Sequence, residues 1–148
     1  MNITDEQKME FRNIIIDHFS NPIKKGIFKE KKDIYSARQK SSICADDIYV
    51  QLKIINDKII DGRFDGSGCA FSVTAADILI SNICGKRLKE AYDYLKNYNE
   101  MCIGNDFEVT EDDEIRIFQT VRVEINRVNC VLLAAEGIRH ILVEKGNF

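Results

Sequence analysis

"DGRFDGSGCAFSVTAAD", residues 61–77, decides the fold, because one stretch holds the end of a strand, a glycine-rich turn and the start of a helix. Upstream, Ile48, Val50, Leu52 and Ile54 alternate with other residues at the period of two that a half-buried strand produces. Asn56-Asp57 supplies a turn and "KIIDGRF" returns, so residues 47–65 are predicted to form an antiparallel hairpin. Downstream, "AFSVTAADILISNIC" (70–84) is apolar on most sides, as a central buried helix is, and Gly85 stands where a left-handed cap is expected. The junction puts Cys69 at a helix N-terminus, whose positive end favours a thiolate.

Toward the N-terminus, Thr4 and Gln7 have the spacing of a capping box, and Phe11, Ile14, Ile15 and Phe19 follow at helical intervals. This helix is predicted to stop before Asn21-Pro22, since the residue preceding proline is pushed out of the helical region. Residues 23–42 are basic without a sustained period and read as loop, with a short edge strand near 33–37. Toward the C-terminus, Leu88, Ala91, Tyr92 and Leu95 predict an amphipathic third helix. Residues 104–116 are acidic and lack an apolar face before Ile115, which predicts an exposed connection. The last segment, "CVLLAAEGIRHILVEKG" (130–146), reads as a closing helix despite Gly137, with Cys130 at its start.

The chain has 148 residues, 45% of them apolar, enough for one domain spanning 1–148 with its own core. Its 21 basic and 24 acidic side chains give a net charge of -3, so neither nucleic acid nor an acidic membrane surface is an expected partner. No long apolar run occurs, and "MNITDEQKMEF" is polar and acidic where a signal peptide is basic and then apolar; the expected setting is soluble and cytoplasmic. Five cysteines, at 44, 69, 84, 102 and 130, are an odd number that points to metal or reactivity before disulfides.

Three chemistries compete for Cys69. Gly66-Ser67-Gly68 could cradle a phosphate, but Phe71 stands where the dinucleotide fingerprint needs a small residue, and the Gly-Lys pair of a P-loop is missing. A cysteine hydrolase needs a histidine base, and His18 and His140 each fall in a predicted amphipathic helix, where a lone histidine is usually a surface or boundary residue. The metal reading gathers more residues: Cys44 and Asp46 just before a strand, Cys69 at a helix start and Cys130 at another, a set suited to Zn²⁺ or an iron-sulfur cluster. Against all three stands the reading of free cysteine as a small buried hydrophobe, to which Cys84 and Cys102 are assigned.

Three passages resemble a known family, the iron-sulfur cluster scaffold proteins of the NifU N-terminal and IscU type. "FRNIIIDHFSNPIKKG" (11–26) is similar to its opening motif, "DGRFDGSGCAFSVTAAD" to its hairpin-to-helix passage, and "RVNCVLLAAEGI" (127–138) to its third-cysteine segment. Asn129 in place of a histidine before Cys130, and the long gap after Cys69 with its extra acidic segment, resemble the SufU branch. That resemblance implies an α+β fold, a small antiparallel sheet of about three strands with helices on one face. It also implies a zinc-dependent sulfur acceptor that takes persulfide sulfur from a SufS-type cysteine desulfurase and supplies downstream iron-sulfur assembly proteins. Carried over by position, it makes Cys44, Asp46, Cys69 and Cys130 the zinc ligands, Cys44 the catalytic sulfur acceptor, and Arg127 a support or partner contact. The implied alternative is a scaffold that builds and transfers a [2Fe-2S] or [4Fe-4S] cluster on the same residues. A third is a member that keeps zinc only as a brace, because Ser41, Ser42 and Ala45 depart from the family's Asn-Pro and glycine around the first ligand.

Overall fold

A computed structural model describes residues 3–42, 45–146 and 148. In chain order the elements are α1 (Asp5–Ser20), β1 (Ile34–Lys40), β2 (Asp47–Ile55), β3 (Lys58–Ser67), α2 (Ala70–Ile83), α3 (Leu88–Ile103), two short 3₁₀ helices (Glu114–Phe118 and Val121–Val123) and α4 (Ile125–Gly146). The fold is α+β, with an antiparallel sheet in the order β1-β2-β3.

The hairpin forms where the alternation predicts it. Asn56 and Asp57 both take positive φ, 50° and 64°, the mirror-image turn that matches strand twist and that Asn and Asp tolerate. Near the turn the register slips: Lys53 faces Asp61 but Ile54 faces Ile59, leaving Ile60 as an extra residue. This bulge lets Ile59 and Phe64 both point inward, where they join Ile48, Val50, Leu52 and Ile54 in the buried core. Two glycines admit the helices to that face. A Cβ on Gly62 would stand 2.7 Å from Ile80 of α2, and one on Gly137 would stand 3.0 Å from Val50 and 3.2 Å from Gln39. Gly137 is therefore the point where α4 lies closest to the sheet, which explains a glycine inside a helix.

α1 carries its capping box, with Thr4 N–H to Gln7 at 2.9 Å and Gln7 N–H to Thr4 at 3.1 Å, and ends at Asn21. Phe11 is buried and Ile14 and Ile15 pack on the core, whereas Phe19 is exposed. Gly85 is left-handed at φ 89° and its N–H donates to Ile59 O at 2.7 Å, tying the end of α2 to β3. Tyr98 of α3 is fully buried and donates its hydroxyl to Val131 O of α4 at 2.7 Å.

Three expectations need correction. The edge strand is longer than expected, running over Ile34–Lys40. The last helix starts at Ile125, so Cys130 sits in its second turn; the first turn, Ile-Asn-Arg-Val-Asn, is too polar to show a period. The acidic connection is exposed only in its first part. Asp113 accepts from Asn82 at 2.9 Å and from Tyr94 at 2.8 Å, and Ile115, Ile117 and Phe118 enter the core. Among the described residues no helix is long and apolar enough to cross a membrane.

Gly66, at φ 110°, lets β3 press on β2: an added Cβ would lie 2.1 Å from the Asp47 carbonyl. Gly66→Ala is expected to destabilise the chain by about 3 kcal/mol, combining backbone strain with overpacking, as read by urea unfolding.

Candidate metal centre

Strand register brings the candidate ligands together. Asp47 faces Ser67 across β2 and β3, so the residue before one strand meets the residues after the other. Asp46 consequently accepts the Cys69 backbone N–H on Oδ1 at 2.9 Å, while its Oδ2 lies 3.8 Å from the Cys69 sulfur. The loop leading to Asp46 is closed by Ser41 N–H donating to Asp46 O at 2.9 Å. Ile43 and Cys44 lie outside the described residues, so the expected fourth ligand rests on sequence alone.

Cys130 arrives from α4 on the buried stripe it shares with Ala134, Gly137 and Ile141, four residues at helical spacing. One ligand atom from each of Asp46, Cys69 and Cys130 lies within 4.8 Å of the others. A zinc tetrahedron with ordinary Zn–S and Zn–O bonds has a sulfur–oxygen edge of about 3.6 Å. The 3.8 Å between Asp46 and Cys69 therefore fits that shell with little movement.

Burial differs across the set. Asp46 is 4% and Cys130 9% exposed, while Cys69 is exposed, so the centre is walled on the α4 side and open at the α2 N-terminus. Burial first, then hydrogen bonding with Asp46 and Cys69, pushes the Cys130 thiol well above its ordinary value. A cation that stabilises the thiolate would reverse that shift. Cys102 has no such use: it is fully buried and burial pushes its thiol up to about 12. Cys84 is likewise raised by burial and lies beside Asp61, away from the cluster.

Cys69, Phe71, Glu124, Asn126, Arg127 and Cys130 line one open cleft. Arg127 borders it with its guanidinium 4.0 Å from the Phe71 ring centre and pairs with Glu124. Phe71 and Glu124 gave no signal in the sequence, since an aromatic in a buried helix and an acid in a connection are both commonplace. The glycine turn is no phosphate cradle. Gly66 makes room for the Asp47 carbonyl, Gly68 for Ser72 and Asp46, and the start of α2 already receives the Asp46 carboxylate.

Ser72 is fully buried and donates to Cys69 O at 3.1 Å; a Cβ on Gly68 would stand 2.1 Å from its Oγ and 3.3 Å from Asp46 Oδ1. Gly68→Ala is expected to weaken metal retention roughly tenfold or more by pushing Asp46 aside, with partial recovery in Gly68→Ala/Ser72→Ala, measured by chelator competition.

The histidine expectation divides. His140 is exposed, but His18 is buried at 8% exposure and bonded to Asp77 and Glu114, remote in chemistry from the cysteines.

A small antiparallel sheet that delivers Asp46 and Cys69 to one end, covered by a helix bearing Cys130, defines the class. The chain belongs to the NifU-like N-terminal domain family, whose model matches residues 10–140. It is 28% identical to the zinc-dependent sulfurtransferase SufU of Bacillus subtilis over 86% of this chain and 86% of that one. It is 32% identical to the iron-sulfur cluster assembly protein IscU of Plasmodium falciparum over 85% of this chain and 67% of that one. Among solved structures, FiSufU of Fervidobacterium islandicum, named for iron-sulfur cluster assembly in the SUF system, superposes with a TM-score of 0.80 at 28% identity, covering 87% of this chain and 93% of that one.

Proposed function

We propose that this chain, as one domain of a soluble cytoplasmic protein, accepts persulfide sulfur from a SufS-type cysteine desulfurase for iron-sulfur cluster assembly, with zinc held by Cys44, Asp46, Cys69 and Cys130. The observation that carries the proposal is the convergence of Asp46, Cys69 and Cys130, from three distant parts of the chain, within 4.8 Å. Donors that tight suit a single ion, whereas a cluster spreads its protein ligands over two or more irons. Zinc, when bound, keeps cysteine ligands ionised and ordered.

The transfer itself belongs to Cys44. Its thiolate attacks the outer sulfur of the partner's cysteine persulfide; a sulfur–sulfur bond forms to Cys44 as the partner's own breaks, and the partner cysteine leaves as a thiolate. Electrons balance within the exchange, so no oxidant or reductant is consumed. Asp46 and the α2 N-terminus hold their side of the site in place, and the open side at Cys69 leaves room for a partner to approach. Arg127, steadied on Phe71, offers a cation at the cleft rim to that partner.

The scaffold reading draws support from the IscU relative. Metal analysis and a visible spectrum of anaerobically purified protein separate the two. About one zinc per chain without visible absorption supports the sulfur acceptor, while iron with visible absorption supports the scaffold. A metal-free chain that takes up neither overturns both.

A further inference from the structure

His18 stands between two carboxylates contributed by distant parts of the chain. Its Nδ1 is 2.5 Å from Asp77 Oδ2 on α2 and its Nε2 is 2.8 Å from Glu114 Oε1 at the start of the first 3₁₀ helix. Asp77 is fully buried, and its other oxygen accepts the Lys24 backbone N–H at 2.7 Å. A neutral imidazole has one N–H and one lone pair, so one of its nitrogens would oppose a carboxylate oxygen lone pair to lone pair. Only the doubly protonated ring satisfies both contacts with both carboxylates ionised.

The neighbouring cations are engaged elsewhere. The Lys24 ammonium lies 3.0 Å from Asp61, and Arg116, two residues beyond Glu114, turns to Glu10 and the Phe11 ring on α1. Asp113, the acid next to Glu114, is bonded to Asn82 and Tyr94. Among the described residues, the charged groups that act on the ring are Asp77 from α2 and Glu114 from the 3₁₀ helix. His18 is outside the Asp46, Cys69 and Cys130 centre.

We propose that His18 is a proton-gated clasp: as an imidazolium it fastens α1 and the segment after it to α2 through Asp77, and fastens the end of the acidic connection through Glu114. Loss of the proton releases Glu114 first, because Glu114 is 44% exposed and can turn to water while Asp77 is fully buried. The segment loosened is Glu114–Phe118, which leads through the second 3₁₀ helix into α4 and Cys130. The clasp therefore links proton concentration to the firmness of the chain that carries one wall of the cysteine centre.

The hydrogen bonds to Asp77 and Glu114 outweigh burial and raise the His18 value above 6.5. A histidine raised in the folded state contributes stability that is fully present below its unfolded value and is lost as pH rises through the folded one. The test is a ring-nitrogen NMR titration of His18, assigned with His18→Gln, beside pH-dependent hydrogen exchange of the Ile115–Phe118 amides corrected for intrinsic exchange. The expected result is titration above 6.5, with protection at those amides falling across the same transition, by at most about tenfold for each unit by which the titration is raised, since the Asp77 contact is kept. Glu114→Gln, a change at a half-exposed position, is expected to lower the His18 titration and flatten the dependence. Titration at or below 6.5, or protection that ignores the transition in the unmodified chain, overturns the proposal.

Discussion

Cys130→Ala is expected to leave the chain folded and nearly empty of metal. The substitution removes a small, 9% exposed side chain from a helix and puts in the best helix former, so its stability cost is about 1 kcal/mol. The loss to the metal is far larger. Cys130 is the only donor that α4 contributes to the described cluster, and removing a direct ligand should cost more than the 10- to 100-fold typical of supporting residues, thus more than about 100-fold in zinc retention. Chelator competition reads the loss and thermal unfolding reads the fold. Cys102→Ala is the matched control: its thiol is fully buried in the core against the Tyr98 hydroxyl, so it should cost stability and leave zinc retention unchanged. Equal metal loss in both variants would mean that the effect is one of folding.

The second large effect is expected at Cys44. Cys44→Ser should preserve the fold, because it exchanges a single sulfur atom for oxygen, yet desulfurase turnover in its presence should fall to that of the desulfurase alone. Serine keeps the size of the side chain but lacks a nucleophile able to exchange with a persulfide at neutral pH. Turnover measured with free cysteine, with and without each variant, checks this. Stimulation that survives Cys44→Ser would move the acceptor role to Cys69, the exposed cysteine of the cluster.

Elements that are amphipathic or alternating were legible from sequence. Ile48 to Ile54 announced a strand, Asn56-Asp57 a turn, and Thr4 with Gln7 a helix start, because each depends on residues near one another in the chain. What depended on register was hidden. Nothing local to Asp46 or to Cys69 reveals that Asp47 will face Ser67, and that pairing is what joins them. The first turn of α4 was missed for a related reason: Glu124 O accepts from Arg127 N–H at 2.9 Å and Val128 N–H at 3.1 Å in a stretch with no apolar period. His18 shows the same limit most sharply, since its partners are 59 and 96 residues away. Of the expected ligands, Asp46, Cys69 and Cys130 meet in the structure, the family match agrees with the motifs that suggested it, and Cys44 rests on its sequence position.

The central claim is most directly tested by trapping sulfur on the chain. Zinc-loaded protein is incubated with cysteine and a SufS-type desulfurase, alkylated, digested and weighed by mass spectrometry. The account predicts one added sulfur on the Cys44 peptide, none on the peptides of Cys84 or Cys102, and none anywhere in Cys44→Ser. Zinc retained with no sulfur on Cys44 would contradict it and reduce the metal to a brace.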